Sequence, residues 1–202
     1  MRILLVFSLS VVLSVVTGWR AKAQTADNPL AAAPTEYSVE LLVTPKSGSP
    51  TIMRMFIDGQ MRRTEQQTHN GELIVILRGD LNKMYTVLTA RKAYRESPAD
   101  SNLVKSLDIS QLAKEIGIAH EKVGNEYIDG EPCDKYRFSV NAGASEGAGA
   151  LQANSGFVWI SQSTHLPVKS ETAGATTIWK VLNVGPQDPS LFMPPVDFQR
   201  VD

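Results

Sequence analysis

The chain has 202 residues, 43% of them hydrophobic, with a formal net charge of −1 at pH 7 and a single cysteine. This length suits one domain with a sizeable core, and the balance of 20 basic against 21 acidic residues argues against a nucleic-acid-binding surface, which needs clustered Lys and Arg. A single cysteine excludes an intramolecular disulfide, so stability must come from the core and from strand pairing.

The N-terminus has the three-part layout of a secretory signal peptide. A short basic start, M-R, precedes an almost wholly apolar stretch at 3–16, and A-K-A at 21–23 predicts cleavage before Gln24. The alternative is an uncleaved anchor helix, but the apolar run 3–19 is at the short limit of a spanning helix, which usually needs roughly 20 residues. We therefore predict a signal peptide at 1–23 and a mature chain with a net charge of −4 and no stable transmembrane anchor.

Short β-type runs separated by turn residues begin after a predicted mobile leader at 24–35. The first group of predicted strands covers 36–44, 51–58, 60–66, 72–78, 83–89 and 93–96. The second group covers 119–128, 133–140, 156–161, 168–171 and 176–184. Asp-Gly pairs at 58–59 and 129–130 are strong hairpin signals. Hairpin following hairpin is typical of an antiparallel meander.

One helix is predicted between the two groups of strands. Asp108 can cap its N-terminus with Gln111 as the capping-box partner, and Gly117 is placed to end it. A shorter turn of helix is predicted at 102–106, and both would pack an apolar stripe on the sheet. Residues 141–156, rich in Gly, Ala and Ser, predict a flexible loop, and the proline-rich tail from Pro186 predicts extended chain.

The first hairpin indicates which residues share a face. If Thr44 pairs near Thr51, then Val39 lies opposite Phe56, and the following turn brings Met61 beside Phe56. This register predicts one apolar row, which we propose as the lining of a ligand site: Val39, Leu41, Val43, Ile52, Arg54, Phe56 and Met61. A shift of one residue would exchange the two faces.

An arginine on this apolar row has two possible interpretations. Arg54, which the predicted register puts beside Arg63, can pack its stem and extend its guanidinium to the rim. It can instead anchor an anionic headgroup at the mouth of an apolar cavity, because guanidinium binds phosphate or carboxylate with two parallel hydrogen bonds. Methionines at 53, 55, 61 and 84 suit either an adaptable pocket or ordinary core packing.

No residue pattern supports a catalytic or metal site. The G-A-S-E-G segment at 143–147 matches G-x-S-x-G, but it lacks the preceding strand and following amphipathic helix of a nucleophile elbow. His69, His120 and His165 are widely spaced and show no metal-ligand pattern. Cys133 lies within a predicted strand, which favours a buried, inert thiol. We therefore predict a non-enzymatic protein with no metal and no cofactor.

Several short segments together resemble a known superfamily. They are Y-S-V-E at 37–40, M-F-I-D-G-Q-M-R at 55–62, I-V-I-L-R at 74–78, K-M-Y at 83–85, G-E-P-C-D-K-Y at 130–136, W-I-S at 159–161, L-P-V-K at 166–169 and D-P-S-L-F-M-P-P at 188–195. From Glu36 onward the mature chain resembles bacterial periplasmic proteins of the outer-membrane lipoprotein-carrier (LolA/LolB-like) superfamily, and within it an uncharacterised group.

The resemblance implies a mainly β (α+β) fold. We expect a single lipoprotein-carrier-like domain over 36–202, built as a curved antiparallel half-barrel sheet with one or two short helices on its concave face. Carriers with this fold hold acyl chains there. The small helical content and the 141–156 loop depart from a true carrier.

The expected function follows from that fold. We expect a periplasmic, non-enzymatic binding protein that shelters an acyl chain, lipid or lipoprotein in an apolar cavity. The alternative is a cell-envelope sensor or scaffold that acts through an envelope protein partner. Neither expectation involves nucleic acid.

Overall fold

The computed structural model describes residues 28–105, 118–140 and 155–201. The strands of the first range are β1 (Glu36–Pro45), β2 (Thr51–Asp58), β3 (Met61–Thr68), β4 (Gly71–Arg78), β5 (Lys83–Leu88) and β6 (Ala93–Pro98), followed by the helix α1 (Ser101–Lys105). The later strands are β7 (Ile118–Ile128), β8 (Glu131–Val140), β9 (Ser155–Ser161), β10 (Pro167–Thr172), β11 (Ala175–Val184) and β12 (Gln199–Val201). The predicted signal peptide, the 108–117 helix and residues 141–154 of the predicted loop lie outside the described residues.

All twelve strands belong to one curved, unclosed sheet in the order β12-β6-β5-β4-β3-β2-β1-β11-β10-β9-β8-β7. β1–β6 form one antiparallel meander and β7–β11 form another, and the antiparallel pairing of β1 with β11 joins the two. The predicted mainly β class with a curved, open sheet and few short helices is confirmed.

The local signals placed most elements correctly. Asp129 and Gly130 have φ values of 50° and 86°, which are the two positive φ angles that a tight hairpin turn of this type needs. The predicted turn of helix at 102–106 is α1, shifted by one residue. Ser155, predicted to lie in the 141–156 loop, belongs to β9, and Gly156, where the predicted loop and the predicted strand 156–161 overlap, belongs to that strand.

The C-terminal tail is more regular than predicted. The Asp188 carboxylate accepts a 2.9 Å hydrogen bond from the Ser190 amide and caps a 3₁₀ turn over Pro189–Phe192. A proline at the start of a helical turn costs nothing, because its missing N–H would have no partner there. Further along, β12 pairs in parallel with β6. The prediction of extended chain is wrong for the 3₁₀ turn, whereas β12 is extended as predicted but is paired in the sheet.

The register between β1 and β2 differs from the predicted one by one residue. Val39 lies opposite Met55, whereas Phe56 lies opposite Ser38. The last pair is Val43 with Thr51, so the connecting loop contains one more residue than expected. Because side chains alternate between faces along a strand, this shift moves four predicted lining residues to the other face. Those residues are Ile52, Arg54, Phe56 and Met61.

Directly paired residues share a face, which defines two surfaces that we call the Val39 face and the Phe56 face. Each holds a core cluster. On the Val39 face the buried residues are Tyr37, Val39, Leu41 and Ile57, joined by Leu166. On the Phe56 face they are Ile74, Ile76, Tyr85 and Val87, joined by Phe192 of the tail.

Candidate functional site

The Val39 face is the apolar side of the sheet. Its side chains on β11 and β1–β5 are Thr177, Trp179, Val181, Tyr37, Val39, Leu41, Val43, Met53, Met55, Ile57, Arg62, Thr64, Gln66, Leu73, Val75, Leu77, Met84, Thr86 and Leu88. Among these described residues, Arg62 carries the only charge. The opposite face of the same strands carries Glu36, Glu40, Arg54, Asp58, Arg63, Glu65, Glu72, Arg78, Lys83 and Lys180. The Val39 face is therefore the candidate surface for an apolar ligand.

This face is filled at its centre and more open toward one end. Val39 and Leu41 are buried, whereas Met53, Met55, Leu73, Val75 and Leu88 are only half-buried. A pocket of about 510 Å³ opens beside the cross-strand partners Leu73 and Leu88, a volume within the usual range for ligand pockets. Its other lining residues are Thr68, Asn70, Gly71, Glu72, Ala90 and Arg91.

Arg62 lies within the apolar face rather than at its rim. Its cross-strand neighbours are Ile57 on β2 and Leu77 on β4, which are 5% and 2% exposed. Burial lowers the pKa of Arg62. Burial also raises the pKa of Tyr37 to about 12, and the positive charge of Arg62 opposes that increase. A guanidinium and a protonated phenol, both hydrogen-bond donors, are thus close enough to interact on an apolar surface.

Arg54, which the predicted register placed on the same face as Val39, lies on the opposite face in the structure. The Arg54 side chain is 56% exposed on the Phe56 face, with its Nε 3.3 Å from Glu40 Oε2. Its partner on β3 is Glu65, which also accepts a 2.7 Å hydrogen bond from Arg63 Nε, so a carboxylate accompanies the two arginines. The alternative register, shifted by one residue, could have identified Arg62, because it reverses the two faces of β2 and β3 relative to β1.

The seven predicted lining residues are divided between the two faces. Val39, Leu41 and Val43 remain on the apolar face. Ile52 and Arg54 are on the Phe56 face and border a second pocket of about 400 Å³ near the start of β2, whereas Phe56 and Met61 pack against the core of the Phe56 face. The other residues of this second pocket are Pro50, Thr51, Glu65, Gln66, Gln67 and Glu72. Its rim is mostly polar, which suits an apolar ligand less well.

A cluster that sequence reasoning missed lies on β7–β10. Trp159 is 2% exposed, and its Nε1 donates a 2.7 Å hydrogen bond to Glu126. The ammonium groups of Lys135 and Lys169 each lie 4.6 Å from the centre of the Trp159 ring, within cation–π range. Lys135 also lies 2.7 Å from Glu126, and its hydrogen bond lowers the pKa of that carboxyl. These charges satisfy one another, so the cluster stabilises the sheet.

The remaining sequence features concern the single cysteine, membrane-spanning helices and metal ligands. Cys133 is fully buried, and burial raises the pKa of its thiol, in keeping with an inert residue. In residues 28–105, 118–140 and 155–201, no helix is long and apolar enough to span a bilayer. Over the same ranges, no three His, Cys, Asp or Glu side chains are grouped to hold a metal ion. The G-x-S-x-G match lies outside the described residues.

A family described as "Domain of unknown function (DUF4412)" matches residues 38–162, which span both faces described above. The chain belongs to the DUF4412 family. No significant match is found among curated proteins.

The fold of this DUF4412 chain is similar to that of several solved structures. It is similar to an uncharacterized conserved protein from Thermus thermophilus, with 10% identity, 85% of this chain and 91% of that chain covered, and a TM-score of 0.54. It is also similar to a chain of the MucA/MucB complex from Pseudomonas aeruginosa, with 13% identity, 86% and 61% covered, and a TM-score of 0.51. At these identities the likeness is one of fold alone.

A LolA superfamily protein from Nitrosomonas europaea is also matched, with 8% identity, 78% of this chain and 88% of that chain covered, and a TM-score of 0.33. The expected uncharacterised group is confirmed as the DUF4412 family, whereas a match this distant does not assign the chain to the lipoprotein-carrier superfamily. Nothing about a ligand follows from so distant a likeness.

Proposed function

We propose that this DUF4412 protein is a periplasmic, non-enzymatic binding protein that shelters the acyl part of a lipid or lipoprotein against the Val39 face. One observation carries the proposal: on six neighbouring strands this face presents a single charged side chain, whereas the opposite face of the same strands is rich in charge. If this face served only to stabilise the fold, apolar side chains from other parts of the protein would cover it completely. Part of it is only half-buried, which leaves room for an apolar ligand.

The side chains of the face suit a flexible hydrocarbon. Met53 and Met55 are half-buried and unbranched, so they can adjust to chains of different shape. Each methylene group transferred from water to such a surface contributes about 0.8 kcal/mol. An acyl chain can therefore be held without any specific polar contact, which agrees with the small number of polar groups there.

The proposed compartment rests on different evidence. The sequence predicts a cleaved secretory signal, and the mature chain resembles a superfamily of periplasmic proteins. A periplasmic protein that crosses the aqueous space with a bound lipid needs a sheltered apolar surface. The lining role of Val39, Leu41 and Val43 remains part of this proposal, because the ligand would lie along their face.

The first test is native mass spectrometry of the mature chain purified from a bacterial periplasm, followed by lipid extraction. We expect a stoichiometric acyl-containing species. Binding of a fluorescent fatty acid is then compared for Met55→Glu and Ile52→Glu. Both residues are on β2, but Met55 is half-buried on the Val39 face and Ile52 is 55% exposed on the other.

An unpaired charge on the ligand surface costs several kcal/mol, so Met55→Glu should weaken binding more than about tenfold, which corresponds to 1.4 kcal/mol. Ile52→Glu should leave it unchanged. Circular dichroism spectra and unfolding midpoints of both variants serve as the folding control. A clean apo mass with no uptake of fatty acid, or equal weakening by both variants, would contradict the proposal.

A second candidate is a cell-envelope sensor or scaffold that binds another protein. The observation that favours it is the edge strand β7, eleven residues long and mostly exposed, with Tyr127 77% exposed. Such an edge can accept a further strand from a partner. A chain of the MucA/MucB complex has a similar fold, so a fold of this kind occurs within a protein complex. An apo mass in the test above would favour this function.

A further inference from the structure

The polar residues of β3 cross the Val39 face as a continuous line. Arg62, Thr64 and Gln66 occupy successive positions on this face and span about 13 Å at the usual rise of a strand. On the β2 side their cross-strand partners are Ile57, Met55 and Met53. On the β4 side they are Leu77, Val75 and Leu73. A line of hydrogen-bonding groups is therefore bordered on both sides by apolar side chains.

The two neutral members of this line are available for bonding. Thr64 and Gln66 are half-buried, and within the described part of the chain no hydrogen bond joins either side chain to another group. No fully buried side-chain nitrogen or oxygen lacks a partner among those residues, so the polar atoms of Thr64 and Gln66 stay accessible. Valine and methionine have nearly the same shapes and would pack better here. The accessible polar atoms of Thr64 and Gln66 can bond to water or, where a ligand displaces that water, to the polar groups of the ligand.

The charged member lies at one end of the line. Arg62 has buried Ile57 and Leu77 on either side and interacts electrostatically with Tyr37, which lies beyond Ile57 on β1, so an anion placed there meets a guanidinium in an apolar setting. Guanidinium binds phosphate and carboxylate with two parallel hydrogen bonds. The spacing between β2 and β4, two strand separations or about 10 Å, allows one hydrocarbon chain to lie on each side of β3.

We propose that the ligand is an anionic lipid with two acyl chains. Its acidic group binds Arg62 and the Tyr37 hydroxyl, and its ester or amide linkages bond to Thr64 and Gln66. One chain then lies along the β2 side and the other along the β4 side. This inference rests on the proposed function and specifies the ligand of the same face.

The experiment uses the mature chain after removal of bound lipid. It is titrated with fluorescent phosphatidylglycerol, which is anionic with two chains, with diacylglycerol, which is neutral with two chains, and with lysophosphatidylglycerol, which is anionic with one chain. We expect the wild type to bind phosphatidylglycerol at least tenfold more tightly than either of the others. Failure of all three to bind would refute the proposed function and with it this inference.

The variants separate the parts of the site. Arg62→Met should weaken phosphatidylglycerol binding at least tenfold and leave diacylglycerol binding unchanged. Thr64→Val should weaken both two-chain lipids by the same factor, because it removes a contact to the linkage they share. Arg54→Met is the matched control, since that arginine is exposed on the opposite face, and it should change neither.

Arg62→Lys covers the case in which Arg62→Met does not fold. It keeps the charge but loses the two-pronged geometry, so it should retain a preference for the anionic lipid at reduced affinity. Equal wild-type affinity for phosphatidylglycerol and diacylglycerol would overturn the role of Arg62, although acyl binding itself would stand. Equal affinity for the one-chain and two-chain anions would overturn the two-chain arrangement.

Discussion

Phe192 fastens the C-terminal tail to the sheet, and its removal provides a direct test of the fold. The ring is fully buried and packs with Ile74, Ile76, Tyr85 and Val87 on the Phe56 face. These four residues belong to adjacent strands β4 and β5, so Phe192 closes the core that the tail covers. Truncation to alanine leaves a cavity that the paired strands cannot readily collapse to fill.

The size of the effect follows from this burial. Replacing a fully buried phenylalanine by alanine costs about 3–5 kcal/mol of unfolding free energy. For a domain of this size each kcal/mol lowers the melting temperature by about 2–4 °C, so Phe192→Ala should lower it by roughly 6–20 °C. Val196, four residues further along, is fully exposed, and Val196→Ala should stay within about 0.5 kcal/mol of the wild type.

Urea unfolding followed by circular dichroism measures both variants on the mature chain. The slope of the free energy against urea should be unchanged, because the surface exposed on unfolding is nearly the same. A loss below about 1 kcal/mol for Phe192→Ala would show that the tail does not close this core. Equal losses for the two variants would refute the assignment of Phe192 as the anchoring residue.

Two further predictions concern the second meander. Hydrogen bonds from the hydroxyls of Ser161 and a neighbouring serine lower the pKa of Glu131 in the folded protein. Its carboxylate therefore stabilises the fold at pH values above the unfolded-state pKa of about 4.3. This stabilisation is lost as the pH falls through the lower folded-state pKa. Glu131→Gln should therefore be less stable than the wild type at neutral pH, with a difference that shrinks as the pH falls below about 4.3 in urea titrations. A pH-independent difference would contradict this. Gly156→Ala places a Cβ against the backbone carbonyl of Glu171 on the paired strand and should lower the free energy of unfolding by about 1–3 kcal/mol, measured by thermal unfolding. At Gly124 an added Cβ meets open space, so Gly124→Ala should lower it by less than half as much. Equal losses for the two variants would disprove the clash.

The positions of the strands could be predicted because local signals determine them. β2 has the predicted bounds, and the Asp-Gly turns at 58–59 and 129–130 start the return strands close to where expected. The register between β1 and β2 could not be fixed in the same way. β2 is apolar on both sides, with Ile52 and Phe56 on one face and Met53, Met55 and Ile57 on the other, so either pairing buries apolar surface.

The arginine of the candidate site depended on that register. The predicted register put Arg54 and Arg63 on the same face as Val39, whereas the observed register puts both on the Phe56 face and Arg62 on the Val39 face. Contacts between distant parts of the chain were also out of reach. No local pattern indicates that β1 pairs with β11, or that the three residues of β12 join β6 in parallel. These pairings depend on the shape of the whole sheet.

The pairing of β1 with β11 has a consequence for how the chain folds. β1 comes first among the strands but lies in the middle of the sheet, so one of its edges can pair with β2 as soon as the hairpin has been made. Its other edge has no partner until residues 175–184 are available. Such a long-range closure is entropically costly and slow, and the waiting edge is a template for aggregation. We therefore expect a partly synthesised chain to depend on chaperones, and a chain truncated before β11 to aggregate.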